Sequence, residues 1–301
     1  KVTPNILETM HNCSQEEASP QCYRKAAQDF LAAYRLAEIL AVFKAHETEP
    51  EIFSRCHQVA HFLGQERYRQ LKSVREVFLE GDYICLGGVF HGALEGYFME
   101  KDLLTKPDFE KISAEVGKIC GQREEYDKPQ QFIECLHGLG HAVMFITDND
   151  LLEGLKLCDA LGSPYQDYCY TGALMQNADS IGDQDHPAKY ARADDPLYPC
   201  NILEKKYQRQ CYTYGALTTT QGDVLKSAAV CRQVPEELRH ECFQTIGRDR
   251  TVVKADPADI KAECNQIKET TYRKDCVEGA AYNLVVRFGI TSPLSRQFCS
   301  V

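Results

Sequence analysis

The chain has 301 residues, 44% of them hydrophobic and 26% charged, the values of a globular protein long enough to bury a substantial core. Its formal charge of −10 argues against a nucleic-acid surface, and no apolar run reaches the roughly 18–20 residues that span a bilayer. Fifteen cysteines without a single CxxC pair point to disulfides and an oxidising compartment: periplasm, cell surface or secretion. The chain begins at Lys1 rather than Met, as expected where a signal peptide has been removed.

Cys13 and Cys22 are expected to pair across the start of a first long helix, read over Gln21–His46. On that helix Phe30, Tyr34, Ala37 and Ala41 share one face, and Leu36, Ile39, Leu40 and Phe43 lie roughly opposite. A helix apolar on both sides belongs between neighbours. A second helix, about Glu51–Lys72, carries CHQVAHFLGQ. The stretch Val74–Glu80 leads into a third, DYICLGGVFHGALEGYFME, where Gly88, Gly92 and Gly96 form one row. Each glycine costs about 1 kcal/mol relative to alanine in a helix interior, so the row implies close packing or a site. Next comes FIECLHGLGHAVMFI, with Cys135, His137, Gly138, Gly140 and His141 in seven residues. Gly138 and Ala142 repeat the small-x3-small spacing that lets helices approach.

Beyond residue 150 four segments read alike: YQDYCYTGALM, YQRQCYTYGAL, LRHECFQTIG and YRKDCVEGAAY. Each is preceded by another cysteine. The pairs Cys158/Cys169, Cys200/Cys211, Cys231/Cys242 and Cys264/Cys276 lie 11, 11, 11 and 12 residues apart, and Cys120/Cys135 form a 15-residue version. The first cysteine of a pair is expected to close a short helix and the second to sit in the opening turns of the next. A tight hairpin brings the two Cα atoms within disulfide reach, and closing a loop of about 11 residues stabilises by roughly 2–3 kcal/mol. Cys56 and Cys85 remain as partners, leaving Cys299 over. The second-position cysteines recur every 31–50 residues, the range of stacked helix pairs. That period resembles tetratricopeptide and Sel1-like repeats, whose consensus residues are missing. The expected fold is all-α: disulfide-stapled hairpins stacked as an α-solenoid or α/α superhelix, with a histidine-rich part over 1–150 and stapled hairpins over 151–301 in one continuous domain. The polar stretch 179–199 is the longest without periodicity and could cover a face of the stack.

Aligned on cysteine, three helices give H-x3-H, H-x3-E and H-x3-H: His57/His61, His91/Glu95 and His137/His141. Residues four apart share a helix face. Five of the nine histidines fall here, while His11, His46, His186 and His240 read as surface or loop residues. If the three helices are neighbours, the imidazoles converge on one or two metal ions: zinc, iron or copper, unranked. Glu95 would be a further ligand, an orienting group or a general base. A catalytic version would be a metal-dependent hydrolase or oxidoreductase acting on a small molecule or peptide. The alternatives are a helical-repeat module that binds proteins through half-buried structural histidines, and a metal or haem carrier. The loop carboxylates Asp148, Asp150, Asp183, Asp185, Asp194 and Asp195 read as solvated turns. Tyr97, Tyr168, Tyr170, Tyr212, Tyr214 and Tyr282 read as packing residues, with a substrate groove the sharper alternative.

Overall fold

The computed structural model describes residues 2–15, 19–82, 84–101, 109–181, 187–192, 194–214, 220, 222–254 and 256–300. Among them all regular structure is helical. Two compact units form: residues 1–148 with 152–173, and residues 149–151 with 174–301.

The first unit holds α1 (Val2–Ser14), α2 (Ser19–Ala33), α3 (Leu36–Ala45), α4 (Pro50–Leu71), α5 (Val74–Glu80), α6 (Gly88–Glu100), α7 (Phe109–Ile119) and α8 (Pro129–Ile146), then most of α9 (Leu151–Cys158) and the opening of α10 (Gln166–Asp179). The second holds the rest of α10, then α11 (Lys205–Tyr214), α12 (Val224–Cys231), α13 (Arg239–Val253), α14 (Pro257–Cys264), α15 (Thr270–Phe288) and α16 (Pro293–Ser300). Local chemistry sets many boundaries. Proline opens α4, α8 and α14, where its missing N–H is harmless. The Ser73, Asp223 and Asp256 side chains cap α5, α12 and α14 by accepting from the first-turn N–H groups of Glu76, Lys226 and Ala258. No helix among the described residues is long and apolar enough to cross a membrane.

The expected single helix over Gln21–His46 is two. Arg35 is extended (φ −73°, ψ 149°), and its backbone N–H donates to the Glu38 carboxylate at 2.9 Å, opening α3 afresh. The break explains the two-sided pattern. Helix α2 buries Tyr23, Ala26, Ala27 and Phe30, and α3 turns Leu36, Ile39, Leu40, Val42 and Phe43 inward. Ala37 and Ala41, expected on a buried face, are exposed.

Seven cysteine pairs stand at disulfide distance: Cys13–Cys22, Cys56–Cys85, Cys120–Cys135, Cys158–Cys169, Cys200–Cys211, Cys231–Cys242 and Cys264–Cys276, with Cα separations of 5.3–5.7 Å. Cys158, Cys231 and Cys264 close their helices as expected, whereas Cys200 sits in a turn after Pro199. The Cys299 side chain lies outside the described residues. So do residues 182–186 and 193 of the polar stretch, with His186, Asp183 and Asp185. Elsewhere in that stretch, Ala188 N–H donates to Ser180 O at 3.1 Å, and Asn177 Nδ2 to Tyr190 O at 2.8 Å.

Three helix pairs cross at glycines in one register. In α4/α6 a β-carbon on Gly64 would fall 2.0 Å from Val89 O, and one on Gly92 would fall 1.9 Å from His61 O. In α8/α10 the same holds for Gly140 with Cys169 O (2.1 Å) and Gly172 with His137 O (1.9 Å). In α13/α15 it holds for Gly247 with Cys276 O (1.7 Å) and Gly279 with Gln244 O (1.9 Å). In every pair the touched carbonyl lies three residues before the partner glycine of its own helix. Only glycine permits such backbone contact.

Candidate metal centre

The α4/α6 crossing places the imidazoles. The glycine row of α6 lies along α4: a β-carbon on Gly88 would meet His57 O at 2.6 Å, and one on Gly96 would meet Tyr68 Cδ1 at 2.9 Å. This is the packing reason for three glycines in one helix. Helix α8 then closes over α6, where Gly138 leaves room for His91, whose Cδ2 would lie 3.0 Å from a β-carbon there.

Six sequence-predicted residues come together. His57, His61 and His91 offer nitrogens all within 4.8 Å of one another, and so do His91, His137 and His141. His91 belongs to both groups. His91 and His141 are 1% exposed, and the other three are half-buried. His57 Nε2 stands 3.2 Å from His61 Nε2, His91 Nδ1 lies 3.3 Å from His61 Nε2, and His141 Nε2 lies 3.3 Å from His137 Nε2.

The outer nitrogens are held by groups that define tautomers. His57 Nδ1 is 2.8 Å from Cys85 O, which can only accept. His61 Nδ1 is 2.8 Å from the Glu95 carboxylate. His137 Nδ1 is 2.8 Å from Thr171 Oγ1, whose own hydrogen goes to Tyr168 O. All three rings therefore carry hydrogen on Nδ1 when neutral, and aim the Nε2 lone pair inward. Burial, the largest cause, lowers the His57 pKa to about 3, helped by the nearby His61. Burial likewise holds His91 well below the usual histidine range. Burial opposes ionisation of Glu95, but His61 and the hydrogen bonds from His61 and Gln65 outweigh it and set its pKa at about 2.

Glu95 has both oxygens engaged, since Gln65 Nε2 donates to Oε2 at 2.6 Å. Gln65 also lines a cleft of about 400 Å³ with Arg24, Phe62, Tyr68 and Met99, and it accepts from Arg24 at 2.9 Å. Cys85 O, Gln65 and Thr171 are the orienting groups that a search for ligand residue types passes over. Thr171 had a signal: it precedes Gly172-Ala173 as His91 precedes Gly92-Ala93.

Of the remaining candidates, His11 Nδ1 lies 3.0 Å from the Glu51 carboxylate and His46 Nδ1 2.6 Å from that of Glu49, both toward the surface. Asp195 caps a turn by accepting from Leu197 N–H and Asn201. Tyr170 and Tyr212 are buried, and the Tyr170 hydroxyl donates to Asp159, while Tyr282 is 72% exposed. His240, read as an ordinary surface residue, stands in a group with Asp275 and Glu278.

Fold and geometry together define a class: a multiply disulfide-bonded chain, helical throughout the regular structure of its described residues, with histidines grouped at metal-binding distance, compatible with an extracellular metal-binding protein. Comparison with protein-family models, curated proteins and solved structures finds no match to narrow that class.

Proposed function

We propose that this is an extracytoplasmic metal-binding protein whose transition-metal centre is formed by His57, His61, His91, His137 and His141. The observation that carries the reading is the meeting of His57 Nε2 and His61 Nε2 at 3.2 Å while both Nδ1 atoms face acceptors. Two lone pairs at that distance repel unless a cation lies between or beside them. His91 Nε2 is buried without a hydrogen-bond partner, which a ligated nitrogen would not need. Imidazole sets suit zinc, copper and iron, and an acceptor behind each ligating histidine is the usual companion of such sites.

The two triads sharing His91 fit one ion or an adjacent pair. Glu95 is a positioning residue here, holding the His61 tautomer, and Gln65 fixes Glu95 in turn. A bound ion would supply Lewis-acid or redox chemistry, the basis of a hydrolase or oxidoreductase role. The recurring glycine register supports reading the hairpins as copies of one unit, the element from which an α-solenoid is built. Seven cystines support an oxidising, extracytoplasmic location.

A second reading has its own basis. A proton on His61, between Glu95 and His57, would also relieve the repulsion and leave the cluster a structural network. Metal analysis of protein purified without a histidine tag separates the two. The metal reading requires stoichiometric transition metal that is lost in a folded His91→Ala, His141→Ala variant. Wild-type protein that neither carries nor takes up metal would leave the proton reading.

A further inference from the structure

We infer that the α13/α15 crossing carries a second divalent-cation site, formed by His240, Asp275 and Glu278 with the Gln244 amide beside it. The three residues offer a nitrogen and two carboxylate oxygens within 4.8 Å of one another. The inference rests on where they stand relative to the crossing glycines. His57 lies seven residues before Gly64, and His240 lies seven before Gly247. His61 and Gln244 lie three before the same glycines. On the second helix, His91 directly precedes Gly92, as Glu278 directly precedes Gly279. Gly88 and Asp275 lie four before those glycines.

Contacts follow the same positions. A β-carbon on Gly88 would lie 3.2 Å from His57 Nδ1, and Asp275, in the matching place, puts Oδ1 2.8 Å from His240 Nδ1. The Asp275 carboxylate accepts from His240 Nδ1 as Cys85 O accepts from His57 Nδ1, and an ion that displaces this hydrogen would turn the contact into shared ligation. His57 Nε2 meets His61 Nε2 at 3.2 Å, and His240 Nε2 meets the Gln244 amide at 2.9 Å. Where α4/α6 supplies His, His and His, α13/α15 supplies His, Gln and Glu.

The chemistry differs accordingly. Asp275 is 5% exposed, whereas the His240 side chain is 53% and that of Glu278 45% exposed. Lys274 approaches Glu278 at 3.5 Å and would have to give way to an ion. One imidazole with two carboxylates is a harder donor set than five imidazoles, open to zinc, cobalt and manganese as well as copper. An open site of this kind binds more weakly and exchanges faster than the buried cluster.

The test is a zinc titration of the full chain, followed by calorimetry and by the NMR signals of the histidine rings. His240→Ala with Glu278→Gln changes exposed groups, and circular dichroism checks that helix content is kept. Wild type is expected to bind one more weak equivalent of zinc than this double variant, with the His240 ring signals shifting in that phase. The His91→Ala, His141→Ala variant is expected to keep the weak equivalent, so failure of the buried centre and failure of this site read differently. A His240→Ala, Glu278→Gln protein that binds as many equivalents as wild type overturns the inference, as does a weak phase that leaves the His240 signals unmoved.

Discussion

Replacing Glu95 by glutamine keeps the shape of the side chain and removes its charge. Two hydrogen bonds converge on that carboxylate, from His61 Nδ1 at 2.8 Å and from Gln65 Nε2 at 2.6 Å. An amide can accept only one of them, and its NH2 group must face the other donor. Gln65 cannot turn its own amide without losing its bond from Arg24 at 2.9 Å. The strain falls on His61, which relieves it by moving its hydrogen to Nε2 and withdrawing the inward lone pair. Loss of such a partner typically lowers metal affinity 10–100-fold, or about 1.4–2.7 kcal/mol. Competition against a chromophoric zinc chelator near pH 7.5, with circular dichroism to check the fold, reads that change. Unaltered zinc affinity in a correctly folded Glu95→Gln protein would refute the orienting role.

Other consequences concern stability. Gly140→Ala would place a β-carbon 2.1 Å from Cys169 O, forcing α8 and α10 apart at a cost of about 1–3 kcal/mol in denaturant unfolding, whereas Gly117→Ala, with nothing within 4 Å, should gain about 0.5–1 kcal/mol. Equal effects at the two positions would contradict the crossing geometry. Glu134 is buried with Gln130 as hydrogen-bond partner, and burial raises its pKa to about 8. The native state therefore holds a proton that the unfolded chain releases above its ordinary value of 4.5, so stability falls as pH rises from about 4.5 to 8, by at most about 4–5 kcal/mol. Glu134→Gln should flatten that part of the stability–pH curve, and an unchanged slope would show that Glu134 is ionised in the fold. Replacing Cys158 and Cys169 by serine opens an 11-residue loop and should cost about 2–3 kcal/mol, seen as a lower denaturant midpoint.

The cysteine framework was legible because each staple joins residues close in sequence, where spacing alone limits the partner. The six clustered residues were legible for a related reason: H-x3-H fixes two rings on one helix face whatever the helix packs against. The break at Tyr34–Arg35 was not, since neither proline nor glycine marks it, and only the competing burial of α2 and α3 explains it. The correspondence between helices follows the crossing glycines and not the cysteine spacing. HFLG, HGLG and QTIG mark the first helix of each crossing, and HGA, TGA and EGA mark the second. By that count His61 corresponds to His137 and Gln244, and His91 to Thr171 and Glu278. His240 looked ordinary because its partners lie 35 and 38 residues away on another helix.

The claim that the imidazoles of α4, α6 and α8 jointly hold a metal ion is tested most directly by X-ray absorption at the metal edge of zinc-loaded protein. Zinc held by these rings gives a first shell of nitrogens at about 2.0–2.1 Å, with the outer-shell scattering of several histidine rings, and that pattern is lost in the His91→Ala, His141→Ala variant. A shell made of oxygen alone, or a several-imidazole pattern that survives the substitutions, would contradict the claim.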